Sequence, residues 1–310
     1  MRFAARRLGT QPIIRADMDQ RMGRNINGPS LIRAPAWLPS PLGQYLLYFA
    51  DHKGTYLRLA YADAPGGPWS MHSPGCLDLS SSLFPEQLLP VGSRPSWVEE
   101  ESQWYYPHIA SPDVHADEQN RQIRMYFHGM LASGEQMTRV AVSSDGVNFQ
   151  VRSELLGPPY FRAFQHGGWW HAFALPNQLL RSRAGFEAFE LGPKPLNPAT
   201  RHTAVLLRGD TLHVFWSQIG DAPERIYAGQ MDLTGDWNRW TLSGEHEVLR
   251  PELDWEGARE PLLASEPGAV NRPVNQLRDP GIFEDNGKIY LLYSGSGEAA
   301  IGLAELHEAR

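Results

Sequence analysis

The chain has 310 residues and a formal charge of −7 with both signs mixed along its length, so it lacks the basic stripe that neutralises phosphates, and nucleic acid is not an expected partner. No segment is long and apolar enough to span a bilayer, and Met1 to Arg15 carries Arg2, Arg6 and Arg7 without the apolar run of an export signal, which reads as a cytoplasmic protein with no membrane partner. The 29 glycines, 25 prolines and 11% aromatic residues favour strands joined by turns, and a lone cysteine, Cys76, excludes an internal disulfide.

In chain order, five segments share one grammar: a short strand after a Pro-like corner, a turn, then strands rich in Tyr, Phe or Trp. The first runs from Gly28-Pro29-Ser30-Leu31-Ile32 through Tyr45 to Ala50 and Tyr56 to Tyr61. The second runs from Ser111-Pro112-Asp113-Val114 through Ile123 to Phe127 and Arg139 to Val142. The third opens at Pro159-Tyr160-Phe161 and continues at Trp169 to Phe173; the fourth opens at His202-Thr203-Ala204-Val205 and continues at Leu212 to Trp216. The fifth comprises Asp279-Pro280-Gly281-Ile282-Phe283, Ile289 to Tyr293 and Ile301 to Ala304. Outer strands are marked at Trp69-Ser70-Met71, Phe149-Gln150-Val151 and Trp240-Thr241-Leu242.

Repeated units of this size predict an all-β, five-bladed β-propeller with four-stranded antiparallel blades, residues 1–310 forming one domain; an open two-sheet sandwich is the alternative. The last repeat lacks its outer strand, and Phe3 to Arg7 with Pro12-Ile13-Ile14 can supply it, so that an N-terminal strand closes the last blade. Leu77 to Tyr106 and Leu249 to Arg278 read as irregular loops over the propeller.

In such a blade the start of the inner strand and the turn between strands two and three share a rim. That rim gathers Asn27, Gly28, Ser111, Asp113, His202, Arg278 and Asp279 with the turn Asp51-His52-Lys53-Gly54, all polar or small where the strand pattern asks for apolar residues.

The opening Asn27-Gly28-Pro29-Ser30-Leu31-Ile32-Arg33, the strand ends Tyr48-Phe49-Ala50 and Leu59-Ala60-Tyr61-Ala62, Gly67-Pro68-Trp69 and the step Ala110-Ser111-Pro112-Asp113-Val114 resemble the first two blades of glycoside hydrolase family 43. The resemblance implies hydrolysis of arabinosyl and xylosyl linkages with inversion, by an Asp base in the first blade, an Asp that tunes the acid in the second and a Glu acid in the third. Asp113 matches the second of these. Gly28, beside Asn27, stands at the base position, and leucines stand at the acid position near Leu155-Leu156-Gly157-Pro158, with Glu154 the one carboxylate close by.

Asp279, within Asn275-Gln276-Leu277-Arg278-Asp279-Pro280, resembles the Arg-Asp-Pro step of related five-bladed glycosidases, whose Asp contacts sugar hydroxyls. Asp113 and Asp279 are therefore the candidate catalytic pair, either one serving as base, with Glu154 or Glu298 as acid and Arg278 keeping Asp279 ionised. Asn27, Asp51, His52, Lys53, His108, Asn275 and Arg278 are candidate substrate-binding residues; Lys53 and Arg278 suit an oligosaccharide bearing an anionic group. His52, His108, His166 and His202 fall near the rim, where a neutral imidazole can move protons near pH 7. No cofactor is required; the resemblance implies room for a structural Ca2+ in the central channel, with His202 as its candidate ligand. Trp37, Trp97, Trp104-Tyr105-Tyr106 and Trp255 fall in loops, where a ring can stack on a sugar, whereas Trp169, Trp170 and Trp216 lie in strands and read as core. The leading expectation is a glycosidase-like enzyme on short oligosaccharides; a non-catalytic carbohydrate-binding propeller and a uronate lyase with a histidine base are the alternatives.

Overall fold

A computed structural model of the chain describes residues 2–90 and 105–309; Trp97 and Trp104 lie outside them. Five antiparallel sheets form the blades of a propeller. Blade one is β3 (Asn27–Arg33), β4 (Tyr45–Ala50), β5 (Tyr56–Ala62) and β6 (Ser70–Asp78); blade two is β7 (Ile109–Asp117), β8 (Gln122–Met130), β9 (Gln136–Ser143) and β10 (Gln150–Val151). Blade three is β11 (Arg162–His166), β12 (Trp169–Ala174), β13 (Gln178–Ser182) and β14 (Glu190–Leu191); blade four is β15 (Thr200–Arg208), β16 (Thr211–Gln218), β17 (Ile226–Asp232) and β18 (Leu242–Leu249). Blade five is β19 (Leu277–Asp285), β20 (Lys288–Gly295) and β21 (Ala300–Ala309), completed by β1 (Arg2–Arg7) and β2 (Ile14–Arg15), which both pair with β21. The expected N-terminal closure is present, with Arg2 opposite Ala309 and Arg7 opposite Ala304. Among the described residues no helix is long and apolar enough to cross a membrane.

The apolar residues sort into five clusters, one between each pair of neighbouring blades. Side chains alternate across a strand, so each middle strand serves two clusters. In β4, Leu46, Tyr48 and Ala50 face blade two, while Tyr45, Leu47 and Phe49 face blade five. In β16, Leu212, Val214 and Trp216 face blade three, and Phe215 faces blade five. A strand buried on both faces carries a continuous apolar run, which is why Tyr45 to Ala50 shows no polar alternation.

The inner strands approach closely around the axis. A side chain on Gly281 would stand 2.5 Å from the Pro29 carbonyl oxygen of the neighbouring blade, so glycine is required there. In four of the five inner strands the first turn of the ladder carries the same bulge, two residues opposite one: Gly28-Pro29, Ser111-Pro112, Arg201-His202 and Asp279-Pro280. Gly28, Ser111 and Asp279 take left-handed φ values of 61°, 50° and 49°, and Tyr160, two residues ahead of β11, takes 66°. Bulges redirect side chains and concentrate near functional sites.

Closure of blade five depends on a buried carboxylate. Glu256 is fully buried and receives Arg7 Nε and Nη2 at 2.7 Å each, the Tyr293 hydroxyl at 2.8 Å and the backbone N–H groups of Glu252 and Leu253. Replacing Arg7 with Leu leaves that charge without its cation, which costs about 3 to 5 kcal/mol. Urea unfolding of Arg7→Leu is expected to show that loss with an unchanged slope; a loss under 1 kcal/mol would mean that Arg7 does not hold the ring closed.

Candidate functional site

The inner-strand starts and the second-to-third-strand turns do converge, and the convergence is layered. In the first layer Tyr160 lies between two imidazoles, its ring 4.2 Å from that of His128 and 4.3 Å from that of His202. His202 Nδ1 abuts Asp279 Oδ1. His108 adjoins His128 at 5.5 Å between ring centroids, and Tyr106 adjoins His108 at 4.8 Å. His52 approaches through its Nδ1, 3.5 Å from Glu298 Oε1, and its carbonyl accepts the Tyr106 hydroxyl. His128 was not anticipated from the sequence. It interrupts the apolar run Met125 to Met130 within β8, opposite Ala110 at the bulge of β7, and that interruption was the available signal.

These groups are buried: His108, His128 and Asp279 are each 1% exposed and His202 is 8% exposed. Burial drives the His108 imidazole from an ordinary 6.5 to about 4, with the Tyr106 carbonyl opposing the shift. His128 is held well below the usual histidine range by burial and by His108, His52 and His202 nearby. Burial and the neighbouring Arg201 and Arg162 do the same to His202. All three are neutral near pH 7. Both ring nitrogens of His128, Nδ1 of His202, both carboxylate oxygens of Asp279 and the Thr200 hydroxyl are buried without a well-directed hydrogen-bond partner in the protein. A buried polar atom left unpaired costs about 1 to 3 kcal/mol, so a group of them marks a place that expects a ligand or water.

Around this layer runs a chain of alternating charge. Arg201 donates to both oxygens of Glu224 at 2.8 and 3.2 Å; Arg278 Nε lies 3.2 Å from Glu224, and Arg278 Nη1 lies 3.2 Å from Glu298. Glu298 also accepts Asn25 Nδ2 at 2.6 Å and Asn27 Nδ2 at 3.4 Å. Burial pushes the Glu298 carboxyl up, but His52, Arg278 and Asn25 together outweigh it and hold the group well below the usual carboxylate range.

One layer further along the axis lies Asp113. It lines a polar axial cavity of about 280 Å3 with Ser30, His115 and Arg162. Its Oδ2 accepts His115 Nε2 at 2.9 Å and the Ala163 N–H at 2.7 Å. Burial raises this carboxyl, yet His115, Arg162 and the Ala163 N–H bring it below the ordinary value. Asp113 follows its Pro112 whereas Asp279 precedes its Pro280. Two residues of strand therefore separate their levels, about 7 Å along the strand.

Several sequence-derived roles are corrected by these positions. Arg278 does not reach for Asp279: its guanidinium goes to Gln276, Glu224, Glu298 and the Gly268 carbonyl. Glu298, ionised and fully engaged, is in the wrong state for a proton donor. Glu154 follows the outermost strand of blade two and pairs with Arg152 at 3.7 Å, while Leu156 is buried in the core between blades two and three. His166, at the far end of β11, pairs with Asp210 at 2.8 Å. Asp51 shapes its own turn by accepting the Lys53 N–H at 2.7 Å, and the Lys53 ammonium lies over the Tyr106 ring at 4.8 Å. Asn275 donates to the Ala258 and Glu260 carbonyls. Trp37 bonds Glu118, Trp255 stacks on Tyr293, and Trp169, half-buried, lies under Arg181 and Arg183. His202, the candidate ligand of a channel ion, touches Asp279 through Nδ1 and stacks on Tyr160.

No family model matches the chain. Over 308 residues it is 36% identical to the uncharacterized protein R118 of Acanthamoeba polyphaga mimivirus, an alignment covering 91% of this chain and 83% of the viral protein. Among solved structures it superposes on CoXyl43, a GH43 beta-xylosidase/alpha-arabinofuranosidase from a compost microbial metagenome in complex with xylotriose, with a TM-score of 0.61, 14% identity and coverage of 99% and 96% of the two chains. A putative glycoside hydrolase from Parabacteroides distasonis gives 0.64, 13%, 98% and 97%, and a GH43_1 enzyme from Xanthomonas citri gives 0.60, 13%, 96% and 90%. At these identities the likeness is one of fold: the propeller is of the family 43 kind.

Neutral buried histidines make stability depend on pH. The unfolded chain takes up a proton on His108 below 6.5 and the folded chain only below about 4, so stability falls as pH drops through that interval. The unfolding free energy of the native protein relative to His108→Gln is expected to decline by about 3 kcal/mol between pH 7 and pH 4. Parallel curves for the two proteins would show that His108 does not titrate this way.

Proposed function

We propose that this chain, which belongs to one family with the mimivirus protein, is a glycosidase-like protein that takes a short oligosaccharide at the axial layer of His128, Tyr160, His202 and Asp279. The observation that carries the reading is the set of buried polar atoms left without a partner, both ring nitrogens of His128 and Oδ2 of Asp279, beside the abutting His202–Asp279 pair. A sugar offers several hydroxyls in a small space, each able to donate and accept, and such a ligand suits imidazole nitrogens and a carboxylate that lack partners. The fold shared with xylosidases and arabinofuranosidases supports the same chemical class.

The charges favour an uncharged sugar over a uronate or sulfated one. Arg201 and Arg278 are neutralised by Glu224 and Glu298, and the three buried histidines are neutral. In hydrolysis Asp279 would take the proton from the water that attacks the anomeric carbon, and the touching His202 imidazole would pass a proton to the departing oxygen as the glycosidic C–O bond breaks. Asp113, fixed as an anion one layer away, would stabilise positive charge developing on the sugar. A second reading, carbohydrate binding without turnover, is favoured by Gly28 and Leu156, since neither of the family's base and acid positions carries an ionisable group.

The test is a panel of neutral oligosaccharides assayed for new reducing ends and, in parallel, by titration calorimetry. Asp279→Asn is expected to lower release at least 100-fold while affinity stays within tenfold. An unchanged rate removes Asp279 from the chemistry, binding without release by the native protein selects the second reading, and absence of both rejects a carbohydrate ligand.

A further inference from the structure

The connection between β18 and β19 builds a second cavity on the same rim. It encloses about 570 Å3 and is walled by Pro261, Leu263, Ala264, Pro267 and Val270, with Asn275 and Gln276 among its polar residues. Asn275 is 6% exposed. Its Nδ2 donates to two carbonyls, Ala258 at 3.3 Å and Glu260 at 3.2 Å, which fixes the orientation of the amide. The other end of that amide, Oδ1, is buried and has no partner in the protein. It is an acceptor awaiting a donor.

The cavity is tied to the axial site by the same two arginines that neutralise the rim. Arg278 donates to the Gly268 carbonyl and to Gln276 Oε1 at 2.9 and 3.0 Å, and Arg201 donates to the Glu266 carbonyl at 2.6 Å. Gln276 precedes Asp279 by three residues, about 10 Å along an extended strand. A molecule long enough to reach from Asp279 into the loop meets apolar side chains interspersed with Glu260, Glu266, Asn271 and Arg272, a mixed lining that suits the carbons and hydroxyls of a sugar ring.

We propose that the loop cavity is a second binding position, built by residues 258–276, that takes a further uncharged sugar of the oligosaccharide whose first sugar sits at the axis. The proposal rests on the carbohydrate reading above, and it makes the loop the element that selects for ligand length.

The test compares a monosaccharide with its trisaccharide by calorimetry, using xylose with xylotriose, arabinose with arabinotriose, mannose with mannotriose and glucose with maltotriose. The native protein is expected to bind one trisaccharide at least tenfold more tightly than its monosaccharide. Ala264→Trp fills the cavity from an exposed position, and Ala269→Trp does so from another lining residue. Either variant is expected to bring the pair within twofold of each other while leaving the monosaccharide affinity unchanged. Equal native affinity for mono- and trisaccharide, or a tenfold preference that survives both substitutions, overturns the proposal and leaves the axial reading standing. Binding of no member of the panel removes both.

Discussion

The arrangement depends first on a buried chain of alternating charge, Glu298, Arg278, Glu224 and Arg201, with His52 against its Glu298 end. Taking several charges out of water costs several kcal/mol per ion, and attraction repays this only where the remaining donors and acceptors are also satisfied. Here they are: Arg278 has Gln276 and the Gly268 carbonyl, Arg201 has the Glu266 carbonyl, Glu224 has the Ser217 hydroxyl and Glu298 has Asn25. The chain links the turns of blades four, five and one to inner strands β15 and β19. A rim assembled from separate sheets thereby becomes one rigid frame.

Within that frame the axial histidines and Asp279 are the groups with the fewest partners. The charged residues of the chain each have several partners, while both ring nitrogens of His128 and Oδ2 of Asp279 have none in the protein. Burial holds the imidazoles uncharged, so the layer offers acceptors and donors without a strong net field of its own. The axial cavity below, with Asp113, His115 and Arg162, is a separate level with its own satisfied carboxylate.

Much of this was legible in the sequence, for physical reasons. Apolar runs between Pro-marked corners identify strands buried on both sides, and those, five times over, identify the ring. His202 and Asp279 stood out because each is polar at a place where the strand pattern asks for an apolar residue, and His52 and His108 because they fall at or near the expected rim. What could not be read was direction. Arg278 adjoins Asp279 in sequence but serves other partners, because the bulge at Asp279 sends the two side chains different ways. Glu154 lies two residues from Leu156, yet the chain between outer and inner strands turns the leucine into the core and the glutamate toward Arg152. Glu224 and Glu256 find their arginines 23 and 249 residues away, separations that no local pattern encodes.

The recurring bulge at the head of the inner strands has an evolutionary meaning. It presents Gly28, Ser111 and Asp279 on left-handed backbone in three blades and Arg201-His202 at the corresponding place in a fourth. The interlocking aromatic and aliphatic clusters between blades lie outside these positions. The apolar cohesion between blades and the character of the rim are thus carried by different residues, and the same wheel can hold different side chains at its hub.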